Sequence, residues 1–141
     1  MPEDCAFCRI VAGETEAHLV FEDDVSLAFL DSRPLFHGHS LLVPREHQET
    51  LADIPAGLRD RLFANAQLLS IAIRDAMDAK GTFVAMNNVV SQSVPHFHVH
   101  VVPRRPKDGL RGFFWPRRKY ERPEDAAAAA SAIRERVAAL G

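Results

Sequence analysis

The sequence predicts an α+β domain: a five-stranded antiparallel sheet, one long helix against it, and a second helix at the C-terminus. Three observations carry that prediction. The run Pro95-His96-Phe97-His98-Val99-His100-Val101-Val102-Pro103 alternates polar and apolar residues, the mark of a half-buried strand. Other short apolar runs are joined by brief turn-rich connections, which favour antiparallel neighbours. Leu58, Leu62, Phe63, Ala66, Leu69, Ile73 and Met77 recur at three- and four-residue spacing, the stripe of an amphipathic helix.

Taken in order, Phe7 to Val11 suits a short helical turn ending at Gly13. His18 to Glu22 and Val25 to Leu30 read as strands around the acidic turn Glu22-Asp23-Asp24, and Ser40 to Pro44 as a third, entered through His37-Gly38-His39. The long helix is predicted to open at Asp53 as N-cap, with Ile54-Pro55 in its first turn, and to stop at Gly81. Thr82 to Asn88 and His96 to Val102 complete the sheet. Pro123-Glu124-Asp125 opens an Ala-rich helix whose thin apolar stripe is Ile133, Val137 and Leu140.

The chain has 141 residues, 47% hydrophobic and 26% charged, which suits a single globular domain with a real core. A net charge of -2 supplies no general attraction to nucleic acid or to an anionic membrane. No apolar run approaches the roughly 20 residues that span a bilayer, and no signal-peptide pattern opens the chain. The expectation is a cytoplasmic protein with no membrane and no stable nucleic-acid partner.

His96, His98 and His100 share one strand face at roughly 7 Å intervals, with Phe97, Val99 and Val101 turned to a core. A polar strand face can be built from Thr, Ser, Lys or Gln, so three histidines point to chemistry ahead of a plain metal site or a plain surface. Cys5 and Cys8 form a Cys-x-x-Cys pair with no apolar strand before it, which argues against a redox motif. Half of a zinc site is the better reading, and two more ligands must then come from elsewhere.

From Arg104 to Arg122 the chain carries eight Lys or Arg against Asp108 and Glu121. The same stretch contains Phe113, Phe114, Trp115 and Tyr120. A loop pinned to the core by its aromatics and a phosphate- and base-binding segment both fit that composition. On the second reading Phe113, Phe114 and Trp115 stack bases while the interleaved Arg111, Arg117 and Arg118 meet phosphates.

The pattern His96-Phe97-His98-Val99-His100-Val101-Val102 resembles the histidine triad (HIT) superfamily of nucleotide hydrolases and transferases. Further segments resemble that family in the expected order: Cys5 to Glu14, Phe21-Glu22-Asp23-Asp24, Ala28-Phe29-Leu30-Asp31, Gly38 to His47, and Gln92-Ser93-Val94-Pro95. The resemblance covers residues 5 to about 108. It makes 1–108 the HIT domain, with 109–141 as a basic, aromatic segment and helix belonging to the same single domain.

The resemblance implies a HIT-like fold in a homodimer and an attack by His98 on the α-phosphorus of a purine nucleotide. It implies catalytic roles for His98, His100, Ser93 and Gln92. Nucleotide contacts would come from Asp31, Asn87, Gln92, Ser93, His98 and His100. Ser93 is expected near the leaving group and Asp31 at the ribose, although an Asp before Ser32-Arg33-Pro34 also suits a turn. The loop Asn87 to Gln92 is shorter than usual for the family and lacks its customary glycines, leaving the choice between Asn87 and Asn88 open. Phe7, Ile10, Phe29 and Leu41 are candidates for the wall around the base. The resemblance also implies a structural zinc held by Cys5, Cys8, His47 and His96. A nucleotide-binding or interaction module with little turnover is the alternative to an enzyme that cleaves phosphoramidates or dinucleoside polyphosphates.

Overall fold

Strand alternation sorts the side chains of this sequence into two cores, one on each face of a single sheet. The computed structural model describes residue 2 and residues 4–111 and 117–141. The strands are β1 (Leu19–Glu22), β2 (Ser26–Leu30), β3 (Ser40–Pro44), β4 (Gly81–Ala85) and β5 (Val99–Arg104). They lie in the order β1-β2-β3-β5-β4, and every neighbouring pair is antiparallel. Ala28, Leu42, Phe97, Val99 and Val101 face the helix α2 (Ala56–Ala76) and pack on its Leu62, Ala66, Leu69 and Ile73. Leu27, Phe29, Leu41 and Val43 face the other way and pack on Phe7 and Cys8 of the helix α1 (Ala6–Val11) and on its N-cap Cys5. Both faces of β2 and β3 are therefore covered.

The acidic turn is an anchor. Asp23 Oδ1 accepts from the N–H groups of Val25 and Ser26, and Asp23 Oδ2 accepts from Asn65 of α2. Burial works against its charge, but these bonds outweigh it and hold the carboxyl down at about 2.

Four boundaries differ from the sequence reading. Asp53 does not cap α2. Its carboxylate accepts from the N–H and hydroxyl of Thr50 across a 3₁₀ turn, Leu51–Asp53. Pro55 disfavours a helical conformation at the residue before it, and Ile54 is extended (φ -71, ψ 122), so α2 begins only after Pro55. Gly81 does not stop the helix either: α2 ends at Ala76, Asp78 takes the left-handed turn (φ 51), and Gly81 opens β4. Finally, the β5 ladder begins at Val99, because its partner strand β3 ends in Pro44, which has no N–H to donate. His96 to His98 continue outside the ladder, held by the Phe97 N–H on the Gln48 carbonyl at 2.6 Å. β4 ends at Ala85 rather than Asn88, since Asn88 Oδ1 accepts from the Leu51 N–H and Val89 turns to φ 70.

On the predicted helix stripe, Phe63 is 39% exposed, while Leu58 and Met77 pack at the margin of the core. The chain divides into two units, Met1–Asp108 and Gly109–Gly141. The second contains α3 (Pro123–Leu140), opened by Pro123 with Glu124 and Asp125 in its first turn. Phe113, Phe114 and Trp115 lie outside the described residues. Among the described residues no helix is long and apolar enough to cross a membrane.

Candidate active site and metal centre

A cavity of about 1040 Å³ opens over the sheet face that α1 partly covers. The wall is apolar: Phe7 and Ile10 from α1, Phe29 from β2 and Leu41 from β3. At one side stand His98 and His100, with Ser93 and Asp31 also lining the space. All four were singled out in the sequence, and the fold brings them together. Register explains part of this. His100 pairs with Leu41, and Leu41 with Phe29, so these three side chains share one face in a row across three strands.

Proton positions follow from the partners. His98 Nδ1 lies 2.7 Å from the His96 carbonyl, which can only accept, so Nδ1 carries the hydrogen and Nε2 keeps a lone pair. Phe7 stands edge-on to this ring, 5.0 Å between centroids, and helps bury it. Burial pushes the His98 pKa down, with the hydrogen bond to His96 and the charge of Asp31 opposing. The ring is neutral near pH 7.

A second constraint involves His39, which the sequence reading passed over as the entry to β3. The Leu35 N–H donates to His39 Nδ1 at 3.0 Å, so the proton of a neutral His39 sits on Nε2. That N–H points at His100 Nδ1, 3.0 Å away, with Asp31 Oδ2 at 3.6 Å. His100 then accepts at Nδ1 and carries its own proton on Nε2. One main-chain donor thereby sets the tautomers of two rings. His100 is held down to about 4, first by burial and then by His98 and His39, with Asp31 opposing. Gly38 makes this possible: it has φ +97, and a Cβ there would lie 2.6 Å from Met77 Cγ. The signal in the sequence was the Gly-His pair ahead of a buried strand. Asp31, His39 and His100 are also close enough to suggest a metal site. The proton on His39 Nε2 argues otherwise, since a protonated nitrogen ligates nothing.

Two predicted residues stand elsewhere. The Gln92 amide donates to the Glu49 carbonyl at 2.6 Å and accepts from the Val89 N–H at 3.0 Å, bracing the loop ahead of Ser93. Asn87 is exposed, and neither it nor Gln92 lines the cavity. Asn88 is committed to Leu51. Asp31 serves both readings given to it: its Oδ1 accepts from the Arg33 N–H at 2.9 Å, a turn, while the side chain lines the cavity.

Behind the triad, Cys5, Cys8, His47 and His96 converge, their ligand atoms all within 4.8 Å of one another. His96 Nδ1 lies 3.4 Å from Cys5 Sγ and 3.5 Å from Cys8 Sγ, and His47 Nδ1 lies 3.4 Å from Cys8 Sγ. Tetrahedral zinc with ordinary Zn–S and Zn–N bonds puts S and N about 3.5 Å apart, so these spacings fit the metal. His96 Nε2 lies 2.8 Å from the Pro44 carbonyl, which fixes its hydrogen there and turns the Nδ1 lone pair to the thiols. Burial and the neighbouring Cys5 push the Cys8 thiol up to about 11.

Comparison with known proteins agrees with this geometry. Residues 12–107 match the HIT domain model. The chain is 36% identical over 112 residues to the adenylylsulfatase HINT3 of Arabidopsis thaliana, covering 78% of this chain and 57% of that longer protein. It is 32% identical over 114 residues to the adenosine 5'-monophosphoramidase HNT1 of Saccharomyces cerevisiae, covering 79% of this chain and 70% of that one. The crystal structure of a Zn-bound histidine triad family protein from Mycobacterium smegmatis superposes with a TM-score of 0.73 at 34% identity, covering 96% and 97% of the two chains. A histidine run on β5 and the approach to it, a paired acid and second histidine behind it, and a family match over most of the chain lead to one conclusion: this protein belongs to the HIT domain family.

Proposed function

We propose that this chain is an enzyme that cleaves the 5'-phosphoryl bond of a purine nucleotide through a covalent nucleotidyl-His98 intermediate. The observation that carries this is the Nδ1–H bond of His98 to the His96 carbonyl, which leaves a neutral, unprotonated Nε2. That nitrogen attacks the α-phosphorus, and the bond from phosphorus to the leaving group breaks. Water then hydrolyses the phosphorus–nitrogen bond and restores His98, splitting one hard displacement into two. His100 donates its Nε2–H to a non-bridging oxygen, and Ser93 meets the leaving group. Asp31 takes the ribose hydroxyls, and the base lies among Phe7, Ile10, Phe29 and Leu41. Gln92 and Asn87 belong to the loop on the leaving-group side, and the Gln92 amide reaches substrate on releasing Glu49.

The leaving group is an amine or a phosphate, as in nucleoside phosphoramidates or dinucleoside polyphosphates. Relatives whose names are adenylylsulfatase and monophosphoramidase support a nucleoside monophosphate as the transferred group. Zinc at Cys5, Cys8, His47 and His96 is structural. It holds the segment before β5 in place and takes no part in the bond changes. Two cysteines with no disulfide between them and the net charge fit a cytoplasmic protein, and the open edge of β4 fits a homodimer.

The test is His98→Ala, assayed on adenosine 5'-phosphoramidate and on a diadenosine polyphosphate. Turnover should fall by several orders of magnitude with nucleotide affinity nearly intact, because the nucleophile acts in the transition state. Near-normal turnover in the variant overturns the mechanism. Wild-type protein that binds nucleotide and cleaves neither substrate would instead be a binding module.

A further inference from the structure

The cavity extends well beyond the catalytic histidines. Its far end is built from the segment joining α1 to β1, where Thr15, Glu16, Ala17 and His18 line it. Strands in a sheet lie about 4.8 Å apart. β1 is three strands away from β5, so this end lies about 14 Å from His100 across the sheet face. That is close to the span of a nucleotide from its phosphorus to the outer edge of its base. A nucleotide with phosphorus at His98 and its base between α1 and the sheet therefore brings the edge of the base towards residues 15–18.

Glu16 is the carboxylate at that end. The segment carrying it is held in place, because the N–H groups of Glu14 and Thr15 both donate to the Arg9 carbonyl, at 2.9 and 3.2 Å. Its side chain is exposed, lines the cavity, and makes no ion pair or hydrogen bond to another described residue. Arg33, which lines the same cavity, forms no salt bridge with it. The carboxylate is thus free to meet a ligand.

We infer that Glu16 reads the edge of the base and makes this site select guanine nucleotides over adenine nucleotides. This rests on the nucleotide-cleaving reading above. Guanine presents two adjacent donors, N1–H and the N2 amine, which match the two oxygens of a carboxylate. Adenine presents its N6 amine beside the N1 lone pair, so one oxygen gains a hydrogen bond and the other is repelled. Hypoxanthine keeps N1–H and lacks the amine, and falls between them. A site that places a hydrogen-bonding group against a base rejects the analogue that cannot answer it. The apolar wall supplies affinity for any purine, and Glu16 supplies the choice.

The experiment compares kcat/KM for guanosine, inosine and adenosine 5'-phosphoramidates with the full chain and with Glu16→Gln. The wild type should prefer guanosine to adenosine by at least tenfold, with inosine between. A glutamine amide offers one acceptor and one donor, which suits adenine, so the variant's ratio should move at least tenfold towards adenosine, with the change in KM. Wild-type preference for adenosine, or a ratio that stays within twofold in the variant, overturns the inference. If all three substrates are inert with the wild type, the catalytic reading falls instead. Calorimetric binding of GMP and AMP to the same two proteins then decides the role of Glu16 by the same ratio.

Discussion

His98 and His100 sit side by side, 5.0 Å between ring centroids, and both are depressed below the ordinary histidine range. The cause is foremost burial. For His100 the neighbouring His98 and His39 add to it, while Asp31 opposes. Two consequences follow for pH. On the proposed reaction, burial keeps His98 neutral below its ordinary range and His100 neutral down to about 4, so the acid limb of kcat/KM should lie below 6.5. An acid limb centred at 6.5 or above would contradict the buried geometry. Stability moves in the same direction. The unfolded chain takes up a proton at position 100 near pH 6.5, whereas the folded chain resists until about 4. Folding is therefore undisturbed above 6.5 and loses stability progressively as pH falls through that window. Thermal melts at pH 7, 5.5 and 4.5 would show the trend.

At the scale of elements, β1 and β4 are the edge strands of the sheet among the described residues, each paired on one side. β4 presents Val84, 43% exposed, on the open edge of the sheet. An open edge that carries an exposed apolar residue is a template for pairing with a second copy. Under the homodimer proposed above, Val84→Lys should shift the sedimenting species to monomer without altering the far-ultraviolet circular dichroism. An oligomeric state unmoved by the lysine would place the contact elsewhere. These strands and the α2 stripe were legible because alternation and 3.6-residue spacing are local. Their ends were not. Pro44, Pro55 and Asp78 each set a boundary through a missing N–H, a disfavoured backbone conformation or a left-handed turn, and each depends on what its neighbours pair with.

For the whole molecule, the cysteine–histidine cluster joins three distant parts of the chain: the N-terminal helix, the loop after β3 and the approach to β5. Chelation should lower the melting temperature by roughly 10 °C and expose two reactive thiols, since metal affinity and folding are coupled. Protein that contains no zinc by elemental analysis and melts unchanged with chelator would refute the site. The Cys-x-x-Cys pair and the three alternate histidines stand out by residue type and spacing, whereas His47, Ser93 and Asp31 were expected only from the resemblance to the HIT superfamily. His39 could not be picked out, as its role arises from the Leu35 N–H and from a Gly38 backbone fitted against Met77. Gln92 likewise gave no sign that its amide would brace a loop on Glu49.

The row from Leu35 through His39 to His100 looks like a relay, yet it begins at a peptide amide, which surrenders no proton. If His100 gave up its outer hydrogen, His39 could replace it only by becoming an imidazolate, which is out of reach near neutrality. The row is a dead end that holds dipoles in line and moves nothing. In the proposed reaction, any proton reaching the departing group must therefore come in a single hop from a group at the cavity or from solvent. In mixtures of light and heavy water, the rate of the chemical step should fall in a straight line with deuterium content. A bowed line would mean several protons moving together, and the row would then be a conductor.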